Sequence, residues 1–454
     1  MDVSSEIEIK LLASPAMLKG LRGRADLVGA ETVQQLITTY FDTAEGRLGS
    51  KGAILRVRER PGGREQTLKV ADRSGSAVHR NEWNVPIQGE EPDLALFPRP
   101  ARTAIGRLLD GAAVIPVAMS RIERTSRHVR FGQSSIEVAF DAGSIEAGGH
   151  SEAVCELELE LVEGRLADVL CLASQLPVGP DLSWSVTSKA ARAHALAFAT
   201  APSTVHAAPV RFADQADASQ GFRTIAWECL GQLLGNYQLV IARAEPETVH
   251  QARVAIRRLR AACSLFGDVI DDDEAPRLRA EMKAVAASLG AMRDLDVVLS
   301  RLDDAVSETG EDVSALKEHL ESRRASATRD AQELLSGAPF QTLLFGFASW
   351  IESGAWRSES KADTLARQPI EDFAASSLAK RTRKLSPATQ RIERSDHPRR
   401  RCDHSSAHCV AAGTPGLARR VGRIAAKSSR SRPGPPGVRD VRRSPQDPLR
   451  GAPG

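Results

Sequence analysis

Glu6-Ile7-Glu8-Ile9-Lys10 puts two carboxylates and an ammonium at alternate positions, so an extended backbone gathers all three on one face and both isoleucines on the other. The alternation recurs with charge in Arg56 and Arg58 of ILRVRER, in Arg80 and Glu82 of HRNEW, and in Glu156, Glu158 and Glu160 of CELELEL. Carboxylates at neighbouring same-face positions repel one another unless cations neutralise them. On a single strand the charged face is simply the wet side of a half-buried sheet. Four such strands together point instead to a divalent metal on the acids and a polyphosphate on the bases. Closing the sheet into a barrel gathers both sets in one lumen.

A second constellation is helical. His250, Arg253, Arg257 and Arg260 are spaced by three, four and three residues, which puts one histidine and three arginines on one helix face. Such a face repels itself unless an anion binds it or acids salt it, and Glu245, Glu247, Asp271 to Asp273 and Glu274 lie just outside it.

Two kinds of element must position these groups. Up to about residue 200 the apolar pattern has period two, at Ile7, Ile9 and Leu11, Ile54 to Arg58, Val85 to Ile87, Ile136 to Phe140, and Leu157, Leu159 and Leu161. This predicts a mainly antiparallel sheet, with helices near 14–27, 101–110 and 164–175 and turns at 61–63 and 72–75. From about 217 the period becomes 3.6, which predicts helices near 218–242, 246–267, 274–305, 311–335, 339–352 and 369–385. The fold class expected is α+β in two domains, an antiparallel β-barrel at 1–200 and an all-α helical bundle at 217–394, joined by a linker at 201–216. Residues 395–454 read as a disordered or out-of-frame tail, poor in large apolar residues.

The length of 454 residues suits two or three domains, and 42% apolar with 26% charged residues is ordinary globular composition. Apolar runs such as Ala112 to Met119 are too short for a membrane span, and the acidic amino terminus is unlike a signal peptide, so a cytoplasmic protein with no membrane partner is expected. The tail carries twelve Arg and one Lys against four Asp and no Glu, which leaves residues 1–394 at net −6. Bulk charge therefore gives no reason to expect a specific nucleic-acid partner. Six scattered cysteines read as reduced thiols, and Cys402, His404, His408 and Cys409 lack the spacing of a zinc finger.

In order and spacing, EIEIK, TYFDT (39–43), LRVRER, TLK (67–69), RNEW, FDAG (140–143), ELELE and TSKAARAHAL (187–196) resemble the CYTH domain of the triphosphate tunnel metalloenzymes, over about residues 4–198. The resemblance implies an eight-stranded antiparallel barrel whose tunnel binds a triphosphate and Mg²⁺ or Mn²⁺. It implies metal-side carboxylates at Glu6, Glu8, Asp141, Glu156 and Glu158, with Asp141 at a strand end and Glu160 nearer the rim. It implies a phosphate clamp of Lys10, Arg56, Arg58, Lys69 and Lys189, joined by Arg121 or Arg124, with Arg124 preferred. Glu6, Glu8, Lys10, Arg56 and Arg58 are then the catalytic group of a metal-assisted inorganic triphosphatase acting on inorganic triphosphate or a nucleoside triphosphate. Adenylate cyclase, thiamine triphosphatase and a non-catalytic polyphosphate-binding protein are the alternatives. Asn84 departs from the family, which often has an acid there, and leaves the partner of Glu82 open. His79 and Tyr40 read as structural.

HxxRxxxRRLR followed by LGAMRDLDV (289–297) resembles the CHAD domain, a helical domain associated with inorganic polyphosphate, over about 218–385. The resemblance gives His250, Arg253, Arg257, Arg258, Arg260 and Arg293 a polyphosphate-binding role, extended by Lys380, Arg381, Arg383 and Lys384, and suggests association with polyphosphate granules. The family's second basic helix is not recognisable after Arg394, so the domain is expected to be truncated.

Overall fold

The computed structural model describes residues 4–5, 7–60, 62–71, 80–309, 312–354, 356 and 364–393. Its strands are β1 (Ser4–Ser5), β2 (Glu8–Ala13), β3 (Glu31–Asp42), β4 (Ile54–Arg60), β5 (Gly63–Ala71), β6 (Arg80–Ile87), β7 (Ile115–Phe131), β8 (Ser134–Ala147), β9 (His150–Glu163) and β10 (Leu182–Ser185). They form one antiparallel sheet in the order β1-β6-β5-β4-β3-β7-β8-β9-β2-β10. β1 and β2 are consecutive pieces of chain, yet β1 pairs with β6 and β2 with β9. The sheet must curl for one short segment to reach both.

The eight strands expected correspond to β2 through β9. Among the described residues they lie in a curled sheet that hydrogen bonds do not seal: β1 ends one edge beside β6, and a short β10 ends the other beside β2. Gly148 and Gly149, at φ 56° and 81°, turn β8 into β9 with the left-handed backbone that matches strand twist. Gly143 is needed for packing, since a Cβ there would lie 1.9 Å from the Arg121 carbonyl oxygen.

Short helices punctuate the sheet: α1 (Pro15–Arg22), α2 (Arg99–Leu109), α3 (Leu166–Ser174) and α4 (Lys189–Ala197). The Ser188 hydroxyl accepts from the Ala191 N–H and starts α4 with Lys189 as its first residue. The helical half follows as α5 (Ala218–Ala242), α6 (Pro246–Leu265), α7 (Ala275–Thr309), α8 (Ser314–Ser336), α9 (Ala338–Ser353) and α10 (Ile370–Glu393). A reciprocal box between Asp217 and Gln220 caps α5. Among the described residues no single helix is long and apolar enough to cross a membrane.

One core runs through sheet and helices. Ile9, Leu11, Leu157, Leu159 and Trp184 from the outer sheet face belong to the same buried cluster as Phe222, Tyr237, Phe345 and Trp356. Among the described residues β10 has a strand partner on one side only, and helical side chains satisfy the other. The Trp184 N–H donates to Gln341 Oε1 at 3.1 Å, and the Trp184 carbonyl accepts from the Tyr237 hydroxyl and from Gln238 Nε2. The Trp184 ring stacks on Phe345 with centroids 4.5 Å apart. Met1–Phe373 accordingly form one compact unit, and Ala374–Gly454 form a second, described only as far as residue 393. The tail expected at 395–454, with Cys402, His404, His408 and Cys409, lies outside the described residues.

Candidate active site

Strand alternation turns Glu8 and Lys10 of β2, Arg56 and Arg58 of β4, and Lys69 of β5 toward one cavity of about 160 Å³. Arg124 of β7, Asp141 of β8, Glu158 of β9 and Lys189 at the start of α4 line it too. Register brings the acids together: Lys10 lies opposite Glu158, Glu8 opposite Glu160, and Asp141 opposite both Glu156 and Arg124.

On this side Glu8, Asp141, Glu156 and Glu158 each meet a cation. Lys10 Nζ is 3.1 Å from both Glu8 Oε1 and Glu158 Oε1. Lys189 Nζ reaches Asp141 Oδ2 at 2.8 Å, Glu156 Oε2 at 2.5 Å and Glu158 Oε1 at 2.7 Å. Arg124 grips Asp141 with two bonds of 2.7 and 2.6 Å and also donates to Glu158. Burial alone would lower the Lys10 and Lys189 pKa values, but the surrounding carboxylates, Glu158 first, raise both. Burial would likewise raise the Glu158 pKa, yet Lys10, Lys189 and Arg124 hold it well below the usual carboxylate range. Lys10, Lys189, Arg124 and Glu158 are therefore charged at neutral pH.

Among the described residues, cations outnumber the acids that line the opposite side. Burial, and then the neighbouring Arg56, push the Arg58 guanidinium down to about 10. Its Nε donates to Thr38 Oγ1 at 3.1 Å. Arg56 Nε is buried and has no hydrogen-bond partner among the described residues, and its Nη2 stands 3.7 Å from Glu82 Oε1. Lys69 Nζ meets Glu82 Oε2 at 2.6 Å. Asn84 also belongs to this group: its amide donates to Glu82 Oε1 at 3.0 Å, and its carbonyl oxygen accepts from Thr67. The open question of Glu82's partners is thus answered by Lys69, Arg56 and Asn84.

Two expectations are corrected, those for Arg121 and for the position of Asp141. Arg121 is exposed and on the outer face, because Arg124 shares the parity of Ser120 and Ile122, which line the cavity. Asp141 sits in the middle of β8 and not at a strand end, and is 1% exposed. Glu160 is half-buried beside Glu8 and Glu137. Tyr40 is buried with its hydroxyl 3.5 Å from Ser120 Oγ, while Glu6 and His79 lie outside the described residues. Arg192 was missed. Its Nη1 binds Glu156 Oε1 at 2.6 Å, and its place three residues after Lys189 on one helix face is the signal that could have found it.

For a divalent cation the donors fit in kind. Glu8 is the most exposed of the paired acids, at 25%, and reaches the cavity with Glu158, at 10%. Among the described residues no group of three or more His, Cys, Asp or Glu is arranged to hold a metal. Two carboxylates suffice for an ion that takes its remaining ligands from water and phosphate.

In the helical half, α6 and α7 bring His250, Arg253, Arg257 and Arg293 into electrostatic reach. Burial first, then Arg293, lowers the His250 pKa, with Arg257 and Arg253 adding to the shift and Glu247 opposing it. Arg260 is exposed. Arg258 departs from the expected group: its Nη1 donates to Gln232 Oε1 at 3.0 Å and its Nη2 to the Ala208 carbonyl at 3.4 Å. The Lys380, Arg381 and Arg383 run lies on α10, and the Lys384 side chain is outside the described set.

A curled antiparallel sheet with acids facing bases across one cavity, followed by a helical half, defines a tunnel protein with a carboxyl-terminal helical module. In family terms the chain carries a CYTH domain at residues 4–193 followed by a CHAD domain at residues 224–427. The latter runs past residue 394, where the helical domain had been expected to stop. An inorganic triphosphatase of Haemophilus influenzae is 32% identical over 201 residues, covering 42% of this chain and 54% of that protein. The chain thus spans about half the length of this curated relative. Among solved structures, the CHAD domain from the plant Ricinus communis is 24% identical with a TM-score of 0.39, covering 50% of this chain and 70% of that one. A candidate adenylyl cyclase from Hippeastrum, described as having a dominant triphosphatase activity, is 20% identical with a TM-score of 0.29, covering 42% of this chain and 95% of its own.

Proposed function

We propose that the tunnel hydrolyses inorganic triphosphate or a related triphosphate with Mg²⁺ or Mn²⁺, and that the helical half binds polyphosphate. The observation that carries the reading is the asymmetry of the cavity: acids paired to cations on one wall face Arg56 and Arg58 on the other, two half-buried neighbouring guanidiniums of which, among the described residues, Arg58 forms no ion pair and Arg56 stands 3.7 Å from Glu82. A polyphosphate supplies the missing negative charge. The similarity to an inorganic triphosphatase supports the same substrate class.

Arg56, Arg58 and Lys69 bind the phosphate oxygens and stabilise charge on the leaving diphosphate as a water attacks the terminal phosphorus in line. Glu8 and Glu158 would hold the divalent ion, which would neutralise phosphate charge and orient water. Asp141 and Glu156, almost fully covered by Arg124, Lys189 and Arg192, fix those cations in place for the substrate.

The test is phosphate release by the full chain from tripolyphosphate, ATP and thiamine triphosphate, with Mg²⁺ or Mn²⁺ and with chelator. Metal-dependent release favouring tripolyphosphate is expected, and Glu8→Gln or Arg56→Ala should each lower it about a hundredfold or more. No turnover by folded, metal-supplied protein would sink the enzyme reading.

A further inference from the structure

α5 belongs to the helical half, yet its Trp227 and Leu234 line the same cavity as Lys10 and Arg58. The cause is the unsealed sheet. β10 lacks a second strand partner, and α5 lies along it, held by Tyr237 and Gln238 on the Trp184 carbonyl and by Gln238 near Ser185 Oγ at 3.3 Å. Positions 227, 234 and 238 share one helix face. Trp227 is pinned there: its Nε1 donates to Glu352 Oε1 at 2.5 Å, and Arg223 Nη2 binds the other Glu352 oxygen at 2.6 Å.

This wall differs in chemistry from the rest. Trp227, Leu234 and neighbouring Val186 present apolar surface, and the one indole donor is already committed to Glu352. A phosphate oxygen pressed against them loses water and gains no partner, so a phosphate chain has no electrostatic reason to pass. A bulky ester group on the leading phosphate would meet an indole that cannot turn aside without breaking its bond to Glu352.

We infer that Trp227 and Leu234 are specificity-determining residues that wall off the tunnel beside β10, so that only a phosphate chain with a bare terminal phosphate leading can enter. The inference rests on the triphosphate reading above and deepens it. Substrates with one free end are admitted, whether inorganic or esterified at the far end, and chains esterified at both ends are refused.

The experiment is calorimetric binding of tripolyphosphate, ATP and diadenosine triphosphate to the full chain and to Trp227→Ala, Trp227→Phe and Leu234→Ala. The parent chain should bind tripolyphosphate and ATP but hold diadenosine triphosphate at least about a hundredfold more weakly. Trp227→Ala should narrow that gap tenfold or more while leaving tripolyphosphate affinity within about threefold, and Trp227→Phe should restore the gap. Leu234→Ala carries the same test should Trp227→Ala lose its cooperative melting transition. Equal binding of diadenosine triphosphate by the parent chain, or an unchanged gap in a folded variant, overturns the inference while leaving triphosphate hydrolysis standing. Failure of the parent chain to bind tripolyphosphate at all overturns both.

Discussion

Arg58 shows a residue whose place in the fold costs stability. It is half-buried beside Arg56 and bonded to Thr38, so the fold bears a partly desolvated charge that Tyr40 and Glu158 offset only in part. Arg58→Met should therefore melt higher, by about 1 kcal/mol of stability, while losing about a hundredfold in turnover; thermal denaturation beside phosphate release checks both. His250 makes a second case. Burial and then Arg293 set its folded pKa below the ordinary value near 6.5, so its neutral form is favoured in the fold. The stability this gives is fully present above the unfolded pKa and is lost as pH falls through the folded one. His250→Gln should flatten that acid-side loss, and bound polyphosphate should move the imidazole pKa upward in an NMR titration. At this scale the sequence was informative wherever parity alone decides the face, as for Glu8, Lys10, Arg56 and Arg58. It left Arg121 and Arg124 open because both strand faces of RIERTSR carry arginine, and only the register against Asp141 selects Arg124.

Elements repeat the contrast. The expected helices at 218–242 and 246–267 are α5 and α6 almost to the residue, since capping chemistry and the 3.6 period are local signals. β10 was not legible: its four residues acquire strand character by pairing with β2, and Tyr237, Gln238 and Gln341 from distant helices complete its edge. The requirement for Gly143 was equally hidden, being a contact between two strands. Gly143→Ala would press a methyl group onto the Arg121 carbonyl, forcing β7 and β8 apart two residues from Asp141. A loss of about 3 kcal/mol or more is expected, read as a lower urea midpoint, with activity falling as the Arg124–Asp141 fork loosens.

For the whole molecule, the period change near residue 217 suggests two separable domains, but the outer face of β2, β9 and β10 is as apolar as any core. Ile9, Leu11, Leu157 and Leu159 are each at most 1% exposed on the face where α1 and α3 pack on β9, and Trp184, at 2%, is covered from the helical half by Phe345 and α5. A chain ending at residue 200 would keep its charged cavity face and lose the cover over Trp184, the partners of the β10 edge and the wall at Trp227. An uncovered edge strand beside a large apolar patch is an association surface. Such a fragment should bind a hydrophobic dye, melt well below the full chain and self-associate in sedimentation, and any phosphate release it retains should discriminate less between singly and doubly esterified chains. A monomeric fragment that melts with the full chain would show instead that the shared core adds little and that the tunnel is stable on its own.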